Sequence, residues 1–313
     1  MSPLYINEEE VRALLDMRGT IDALETIFRE QAAGEARNMP RQRADYWGGK
    51  LNIMSAGARS GRFAFKAYAA TAKPTVYHVM LYDRNEGLLA IIEAQAIGQL
   101  RTGAASGVAT RRLAAANASR IGVIGAGRQA RTQLLAIAAV RDLREIRVFA
   151  RDAARVAAFC DAMSREMERD VRPAASAKAC VADAQIVVAA TTSSTPVVLD
   201  AWLPPDVHVN GVGANAAARM ELEPASYARA RLVVTDDVDQ AKVEAGEIIE
   251  AVKAGRKSWS DVRALADIVG APAPAGGGLT IFKSLGAALE DLASASAIYD
   301  RALARGMGRR VRD

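Results

Sequence analysis

Histidine and cysteine are scarce: the 313 residues include two of each, His78, His208, Cys160 and Cys180. A site with three His ligands is therefore impossible, and the four residues lack the short spacings typical of zinc ligands. We predict that the protein binds no metal. If it is an enzyme, Lys, Arg, Asp, Glu, the backbone or a cofactor must carry most of its chemistry.

Long apolar runs and a strong charge imbalance are also missing. No apolar run approaches the roughly 18 residues of a membrane-spanning helix, and the N-terminus is too polar for a signal peptide. Lys and Arg number 41 against 36 Asp and Glu, a net charge of +5. The basic residues are scattered except at the C-terminus, where Arg305, Arg309, Arg310 and Arg312 cluster. We expect a cytoplasmic protein that binds neither nucleic acid nor membrane.

The length is sufficient for two domains, each with its own core. The N-terminal region begins with a helix that Asn7 caps, with Glu10 at the reciprocal position of a capping box. Short segments separated by turns follow, as is typical of antiparallel strands. They cover residues 51–55, 62–70, 75–83 and 88–93. This pattern predicts an α+β domain over residues 1–116.

Strands and helices alternate over residues 117–283, after a helix predicted at 102–115. The predicted strands cover residues 120–124, 145–149, 185–190, 207–212 and 232–235. Their near-continuous apolar character, with helices between them, predicts an α/β domain whose parallel sheet is covered on both faces. A last helix is predicted to begin at Ser284, and residues 284–313 are predicted to pack back on the first domain.

A glycine-rich turn connects the strand at 120–124 to the helix that follows it. The turn reads Gly125-Ala126-Gly127-Arg128-Gln129-Ala130. Gly125 permits a tight turn, Gly127 lets the backbone approach a pyrophosphate, and the helix N-terminus offers free N–H groups to the phosphates. Because the motif stands between a strand and a helix, it predicts a dinucleotide site.

The end of the second strand of this unit indicates which dinucleotide binds. An acidic residue there would bind the ribose 2′-hydroxyl of NAD. The sequence instead has Ala150-Arg151, followed by Asp152 as a predicted helix N-cap. An Arg at this place suits a 2′-phosphate, so we expect NADP rather than NAD.

Several motifs together resemble the ornithine cyclodeaminase/mu-crystallin family, in order and in spacing, over nearly the whole chain. They are Met39-Pro40-Arg41, Lys66, Arg101-Thr102-Gly103, the glycine turn, Asp183-Ala184-Gln185, Val212-Gly213-Ala214-Asn215, Ile281-Phe282-Lys283-Ser284 and Glu290-Asp291-Leu292. The resemblance implies a homodimer in which the first domain binds substrate and forms the dimer contact. It also implies a Rossmann-type second domain that binds NAD or NADP.

The resemblance implies hydride transfer at the α-carbon of a small amino acid or its imine. A planar Arg can hold the substrate carboxylate, and a Lys of lowered pKa can exchange a proton at the nitrogen. Carried over by position, Arg41, Lys66 and Arg101 bind substrate, and Lys66 also takes part in catalysis. Arg41 as a surface turn residue, Lys66 as an edge-strand charge and Arg101 as a structural ion-pair partner are alternatives.

The residues expected to bind the cofactor come from both predicted domains. They are Arg101, Thr102, Gly125, Ala126, Gly127, Arg128, Gln129, Arg151, Thr191, Thr192, Gly213, Lys283 and Ser284. Thr191 and Thr192 could instead merely terminate a strand, and Ser284 could instead cap the last helix above a solvated Lys283.

Two positions depart from the cyclodeaminases. Asn215, a catalytic candidate by position, stands where those enzymes carry an Asp that transfers a proton, a step that an amide cannot perform. His78 stands where some relatives have a cofactor-contacting Thr, and it is either a core residue or a catalytic proton shuttle. Asn215 favours reduction of a cyclic imino acid or an amino-acid dehydrogenase reaction. Conversion of ornithine to proline and ammonia is the alternative, and a non-catalytic NADPH-dependent binding protein is a second one.

Overall fold

The computed structural model describes residues 2–274 and 276–311, so Arg312 of the basic C-terminus lies outside the described residues. The chain forms two compact units. The first comprises the chain up to Ala104 and again from Gly286 onward, and the second is Ala105–Leu285. The observed divisions therefore lie at 104/105 and 285/286, whereas the sequence analysis placed them at 116/117 and 283/284.

The elements of the N-terminal part begin with a short strand and two helices, which five strands and a long helix follow. They are β1 (Leu4–Ile6), α1 (Glu8–Leu14), α2 (Met17–Ala32), β2 (Ala36–Tyr46), β3 (Gly49–Ala58), β4 (Arg62–Ala70), β5 (Tyr77–Asp83), β6 (Gly87–Glu93) and α3 (Gln95–Leu113). Asn7 and Glu10 form the predicted capping box of α1. The helix predicted at 102 begins seven residues earlier, at Gln95.

The central part alternates strands and helices. Its elements are β7 (Arg120–Ile124), α4 (Arg128–Val140), β8 (Glu145–Phe149), α5 (Ala153–Met167), β9 (Val171–Pro173), α6 (Ala177–Val181), β10 (Ile186–Ala189), β11 (His208–Gly211), α7 (Pro224–Arg229), β12 (Leu232–Thr235), α8 (Val238–Glu244), α9 (Gly246–Lys253), β13 (Val262–Ala264), α10 (Leu265–Val269) and β14 (Thr280–Lys283). The side chain of Asp152 caps α5, as predicted.

The chain ends with α11 (Ala288–Arg305) and β15 (Arg309–Arg310). The predicted start of this helix at Ser284 was wrong, because Gly286 adopts a left-handed conformation with φ +81° and helical geometry begins only after it.

The first unit is built around a seven-stranded sheet in the order β15-β1-β6-β5-β4-β3-β2. Strands β2 to β6 form an antiparallel meander, and β1 joins β6 in parallel. Helix α11 packs against α2 and against β4. Its small and apolar residues, such as Leu289 and Leu292, are buried, so one face of the sheet lies beneath this helix.

The second unit contains an eight-stranded sheet in the order β13-β12-β14-β11-β10-β7-β8-β9, with every pair parallel. The chain runs outward from β7 through β8 to β9 on one side and continues from β10 to β11 on the other. This reversal is the topological switch point of a doubly wound fold. The predicted α/β class and Rossmann-type sheet are therefore confirmed. Among the described residues, no helix is long and apolar enough to span a membrane.

Candidate functional site

Lys66 lies in the middle of the first unit's sheet. Strand β4 is flanked by β3 and β5, so Lys66 is not a charge on an edge strand. Its cross-strand neighbours are Met54 and Val79, which are both buried, and Lys66 itself is 3% exposed. Its Nζ lies 3.1 Å from Oδ1 of Asp291 in α11. The backbone pleat thus turns this ammonium group into the interior, against a carboxylate.

Arg101 is held in the same cluster by two adjacent acids of α11. Its Nη1 donates to Oε2 of Glu290 at 2.8 Å, and its Nε lies 3.4 Å from Oδ1 of Asp291. Since α3 begins at Gln95, Arg101 lies within the helix and not directly before it, as the predicted helix bounds of 102–115 implied. Arg101 therefore forms ion pairs with Glu290 and Asp291, which is the alternative interpretation given above.

Glu290 and Asp291 were not among the predicted site residues. Both are fully buried, at 0% and 1% exposure, in a helix of small and apolar side chains. Two adjacent acids in the sequence Ala288-Leu289-Glu290-Asp291-Leu292 are a detectable signal, because buried carboxylates require cationic partners.

Arg41 is half-buried in β2, where the register of pairing with β3 shifts. Its Nη2 donates to the backbone carbonyl of Gly286 at 3.2 Å, and its Nε contacts the sulfur of Met54 at 3.3 Å. Because Met54 is buried beside Lys66, the guanidinium is turned inward and is not a surface turn residue.

The electrostatics of this cluster centre on Lys66. Burial lowers the pKa of Lys66, the charges of Arg101 and Arg41 lower it further, and the carboxylate of Asp291 opposes them. The ring of Tyr77 lies 5.5 Å from Nζ and offers the cation a favourable aromatic face. Lys66 therefore combines a cationic environment with a weakened hold on its own proton.

His78 does not join the cluster. It pairs with Ala67 across β4 and β5, whereas Lys66 pairs with Val79. Directly opposed residues share a face and successive residues alternate, so His78 and Lys66 lie on opposite faces of the sheet. The hypothesis that His78 acts beside Lys66 as a proton shuttle is not supported within this chain.

The second unit forms the predicted phosphate cradle between β7 and α4. Gly125 has φ +123°, and a side chain there would clash with the carbonyl oxygen of Ala190. Gly127 is the N-cap of α4, and among the described residues no side chain caps the helix. The first N–H groups of α4 are thus left to a ligand, as the pyrophosphate of a dinucleotide requires. Arg128 and Gln129 form the first turn.

The other cofactor candidates of this unit follow the carboxyl ends of neighbouring parallel strands, which share one edge of the sheet. Arg151 follows β8, Thr191 and Thr192 follow β10, and Gly213 follows β11. The catalytic candidate Asn215 also follows β11. Arg151 and Asn215 are exposed. Arg155, which the sequence analysis did not select, donates from Nε to the carbonyl of Ala126 at 3.0 Å.

Arg101 and Thr102 belong to the first unit. The Thr102 hydroxyl donates to the carbonyl of Gly98 within α3 at 2.8 Å. Their assignment to the cofactor stays a prediction.

Lys283 is the last residue of β14, Ser284 follows it, and both are buried. Lys283 Nζ lies 3.1 Å from Oε1 of Glu247, and both side chains are 0% exposed, so Lys283 is not solvated. Ser284 does not cap α11; its hydroxyl lies 3.5 Å from Oδ2 of Asp236. The two residues therefore lie at the end of β14 in contact with buried acids, and not at the start of α11.

Glu221 is a further buried acid that the sequence analysis missed. Its carboxylate accepts backbone N–H groups from Thr191, Gly213 and Ala214. The segment Met220-Glu221-Leu222, an acid between apolar residues, is the only local signal. Gly213 is required because a side chain there would clash with the backbone of Thr191. Within the described residues, no group of three or more His, Cys, Asp or Glu could hold a metal ion.

The chain is similar to known proteins along nearly its whole length. Residues 2–306 match the ornithine cyclodeaminase/mu-crystallin family. The alanine dehydrogenase of Archaeoglobus fulgidus is 33% identical, over 100% of this chain and 99% of that protein.

Two solved structures have nearly the same fold over their whole length. One is the Δ¹-pyrroline-2-carboxylate reductase of Thermococcus litoralis in complex with NADH and L-proline, with a TM-score of 0.92, 29% identity and coverage of 98% of this chain and 100% of that one. The other is an archaeal alanine dehydrogenase dimer with bound NAD, with a TM-score of 0.92, 29% identity and coverage of 100% and 99%.

Proposed function

Because the chain belongs to the ornithine cyclodeaminase/mu-crystallin family, we propose that it is an enzyme that transfers a hydride between a nicotinamide dinucleotide and the α-carbon of an amino acid or its imine. The observation that carries this proposal is the buried Lys66 with a lowered pKa, next to two guanidinium groups. A protein that only bound the dinucleotide would have no need of this cluster. Relatives named for this chemistry support the assignment.

The substrate carboxylate binds to the cationic side of the cluster. Arg41, Lys66 and Arg101 carry three positive charges, against the two of Glu290 and Asp291, so the five residues together leave a net positive charge for an anion. A guanidinium group holds a carboxylate through two parallel N–H donors. Glu290 fixes Arg101 from one side, which limits the conformations available to it and reduces the entropy lost on binding.

Lys66 exchanges the proton at the substrate nitrogen. Burial and the neighbouring Arg charges shift its pKa toward the working pH, where proton transfer is most efficient. Asp291 keeps Nζ in place at 3.1 Å. Asn215 cannot perform this step, because an amide neither takes up nor releases a proton near neutrality.

The nicotinamide ring, when bound, supplies or accepts the hydride. The turn from Gly125 to Gln129 and the N-terminus of α4 hold the pyrophosphate, and Thr191, Thr192 and Gly213 contact the rest of the cofactor. Lys283 and Ser284 support this edge of the sheet from within.

We assign NADP as the preferred dinucleotide because Arg151 follows β8, is exposed and stands where an acidic residue would select NAD. The Arg151→Ala variant should bind NADPH about tenfold more weakly, because it loses one hydrogen bond between charged groups. Its affinity for NADH should be nearly unchanged. Arg165→Ala, an exposed residue of α5, the helix that follows Arg151, is the matched control. Equal loss for both dinucleotides, or no loss, would contradict the assignment.

Reduction of a cyclic imino acid or an amino-acid dehydrogenase reaction is favoured over ornithine cyclisation because of Asn215. The test supplies purified protein separately with Δ¹-pyrroline-2-carboxylate and NADPH, with alanine and NADP, and with ornithine and NAD. Oxidation of NADPH by the imino acid, or reduction of NADP by alanine, supports the proposal. Efficient proline formation from ornithine would reverse the preference, and failure with all substrates despite tight NADPH binding would favour a binding protein.

We propose a homodimer that forms through one face of the first unit's sheet, the face that does not carry the Lys66 side chain. Met39, Ile53 and Phe63 are 51%, 40% and 43% exposed, and their registers place all three on that face. Clustered exposed apolar side chains are typical of interfaces. Phe63→Asp should shift the mass measured by light scattering from dimer to monomer, whereas Val243→Asp in the second unit should not. A monomeric wild type would refute the proposal.

A further inference from the structure

Glu221 connects two loops of the second unit through its carboxylate. Oε1 accepts the N–H of Thr191 at 2.5 Å, and Oε2 accepts those of Gly213 at 2.5 Å and Ala214 at 3.0 Å. These loops follow β10 and β11, which are neighbouring parallel strands. The three N–H donors use both oxygens of the carboxylate, and the ionised form accepts such bonds best, because protonation turns one oxygen into a hydroxyl donor and a weak acceptor.

The groups around Glu221 come from three other elements. Glu247 of α9 accepts the Glu221 backbone N–H at 2.9 Å and pairs with Lys283 of β14. Tyr227 of α7 is fully buried, and among the described residues its hydroxyl has no hydrogen-bond partner. Glu221, Glu247 and Lys283 therefore form a buried cluster of two carboxyl groups and one ammonium group, away from water.

This environment works against ionisation of Glu221. Burial raises its pKa to about 6, and Glu247 adds to the rise, while Lys283 and the hydrogen bonds from Thr191 oppose it. The carboxyl group of Glu221 therefore takes up a proton at a higher pH than an ordinary glutamate does. In the protonated form one oxygen is a hydroxyl, so the hydrogen bonds from the N–H groups on that oxygen are weakened.

We propose that ionised Glu221 is a positioning residue that holds the loops after β10 and β11 in the conformation that binds the nicotinamide dinucleotide, so that protonating it weakens cofactor binding. This role rests on the proposed function. Thr191 and Gly213 make the contacts with the cofactor, and Glu221 acts through their backbone. The affinity for the dinucleotide should therefore be highest when Glu221 is ionised and should fall as the pH drops.

The experiment measures NADPH affinity by fluorescence titration between about pH 5 and 8, in wild type and in Glu221→Gln. If only the ionised form binds, one group with a pKa of about 6 lowers the affinity roughly tenfold at about pH 5. Gln resembles the protonated acid, so near neutrality this variant should bind NADPH at least tenfold more weakly than wild type. Its affinity should also lack the part of the pH dependence that Glu221 causes. The KM for NADPH should rise more than kcat falls.

Glu223→Gln is the matched control, because Glu223 accepts a single backbone N–H from Asp200 and lies outside the cluster. It should keep the wild-type affinity and pH profile. Circular dichroism and thermal melting verify that each variant is folded. A flat wild-type profile, or a folded Glu221→Gln variant that keeps the wild-type profile, would overturn the inference while leaving the proposed function intact. Failure of wild type to bind any nicotinamide dinucleotide at every pH would overturn both.

Discussion

The two units contain buried charge clusters of opposite composition. In the first unit, Arg41, Lys66 and Arg101 outnumber the acids of α11. In the second, Glu221 and Glu247 outnumber Lys283. Burial disfavours charge in both places, so it lowers the pKa of Lys66 and raises that of Glu221. The same physical cause thus moves an amine and a carboxylic acid toward neutral pH from opposite sides.

The clusters also differ in what their carboxylates bind. Glu290 and Asp291 bind cationic side chains, whereas Glu221 binds backbone N–H groups. The first arrangement holds cations for an incoming anion, and the second fixes the shape of two loops. Variants that remove one charge at a time should therefore affect chemistry in the first unit and stability or cofactor binding in the second.

The largest effect is expected from Lys66→Met. Loss of the proton-transfer group should lower kcat by about 10²–10⁴-fold, measured as NADPH oxidation with the imino acid that wild type reduces. The variant also leaves the Asp291 carboxylate without its ammonium partner, which lowers stability. Adding Asp291→Asn should restore much of the melting temperature without restoring kcat.

The control variant is Lys50→Met, which removes an exposed ion pair of β3 and should change neither kcat nor the melting temperature. A Lys66→Met enzyme with a kcat near that of wild type would contradict the assigned role.

Lys283→Met should act on stability. Removing one partner of a fully buried pair leaves Glu247 uncompensated, at a cost of about 3–5 kcal/mol in the free energy of unfolding, which a urea titration measures. The comparison variant is Lys253→Met, whose exposed pair with Glu250 contributes about 0–1 kcal/mol. Similar urea midpoints for the two variants would show that the buried pair contributes no more than the exposed one.

Arg41→Gln should have the smallest effect of the three. Loss of one charged hydrogen-bonding group to the substrate carboxylate should raise KM by roughly 10–100-fold with a smaller change in kcat. Arg59→Gln removes a similar cation from an exposed ion pair with Glu35 and should leave KM unchanged. A drop in kcat at constant KM would instead assign Arg41 to the transition state.

Features that depend on neighbouring residues were predicted well. The capping box of Asn7 and the N-cap of Asp152 were found as expected, because each involves residues three positions apart. Strands β7 and β8 also have the predicted bounds. The glycine turn between β7 and α4 follows from the same local rules, since its glycines, strand and helix lie within one short segment.

The sequence by itself thus determined the two fold types, the family resemblance and the phosphate cradle, because propensity, periodicity and capping act over a few residues. The tertiary structure alone decided which charges meet. Lys66 and Asp291 are 225 residues apart, and Glu221 reaches a loop 30 residues away. The pairing register alone placed His78 on the other face of the sheet from Lys66, since a shift of one residue would move every side chain of a strand to the other face. Burial, which shifts the pKa of Lys66 and Glu221, exists only once distant elements have packed together.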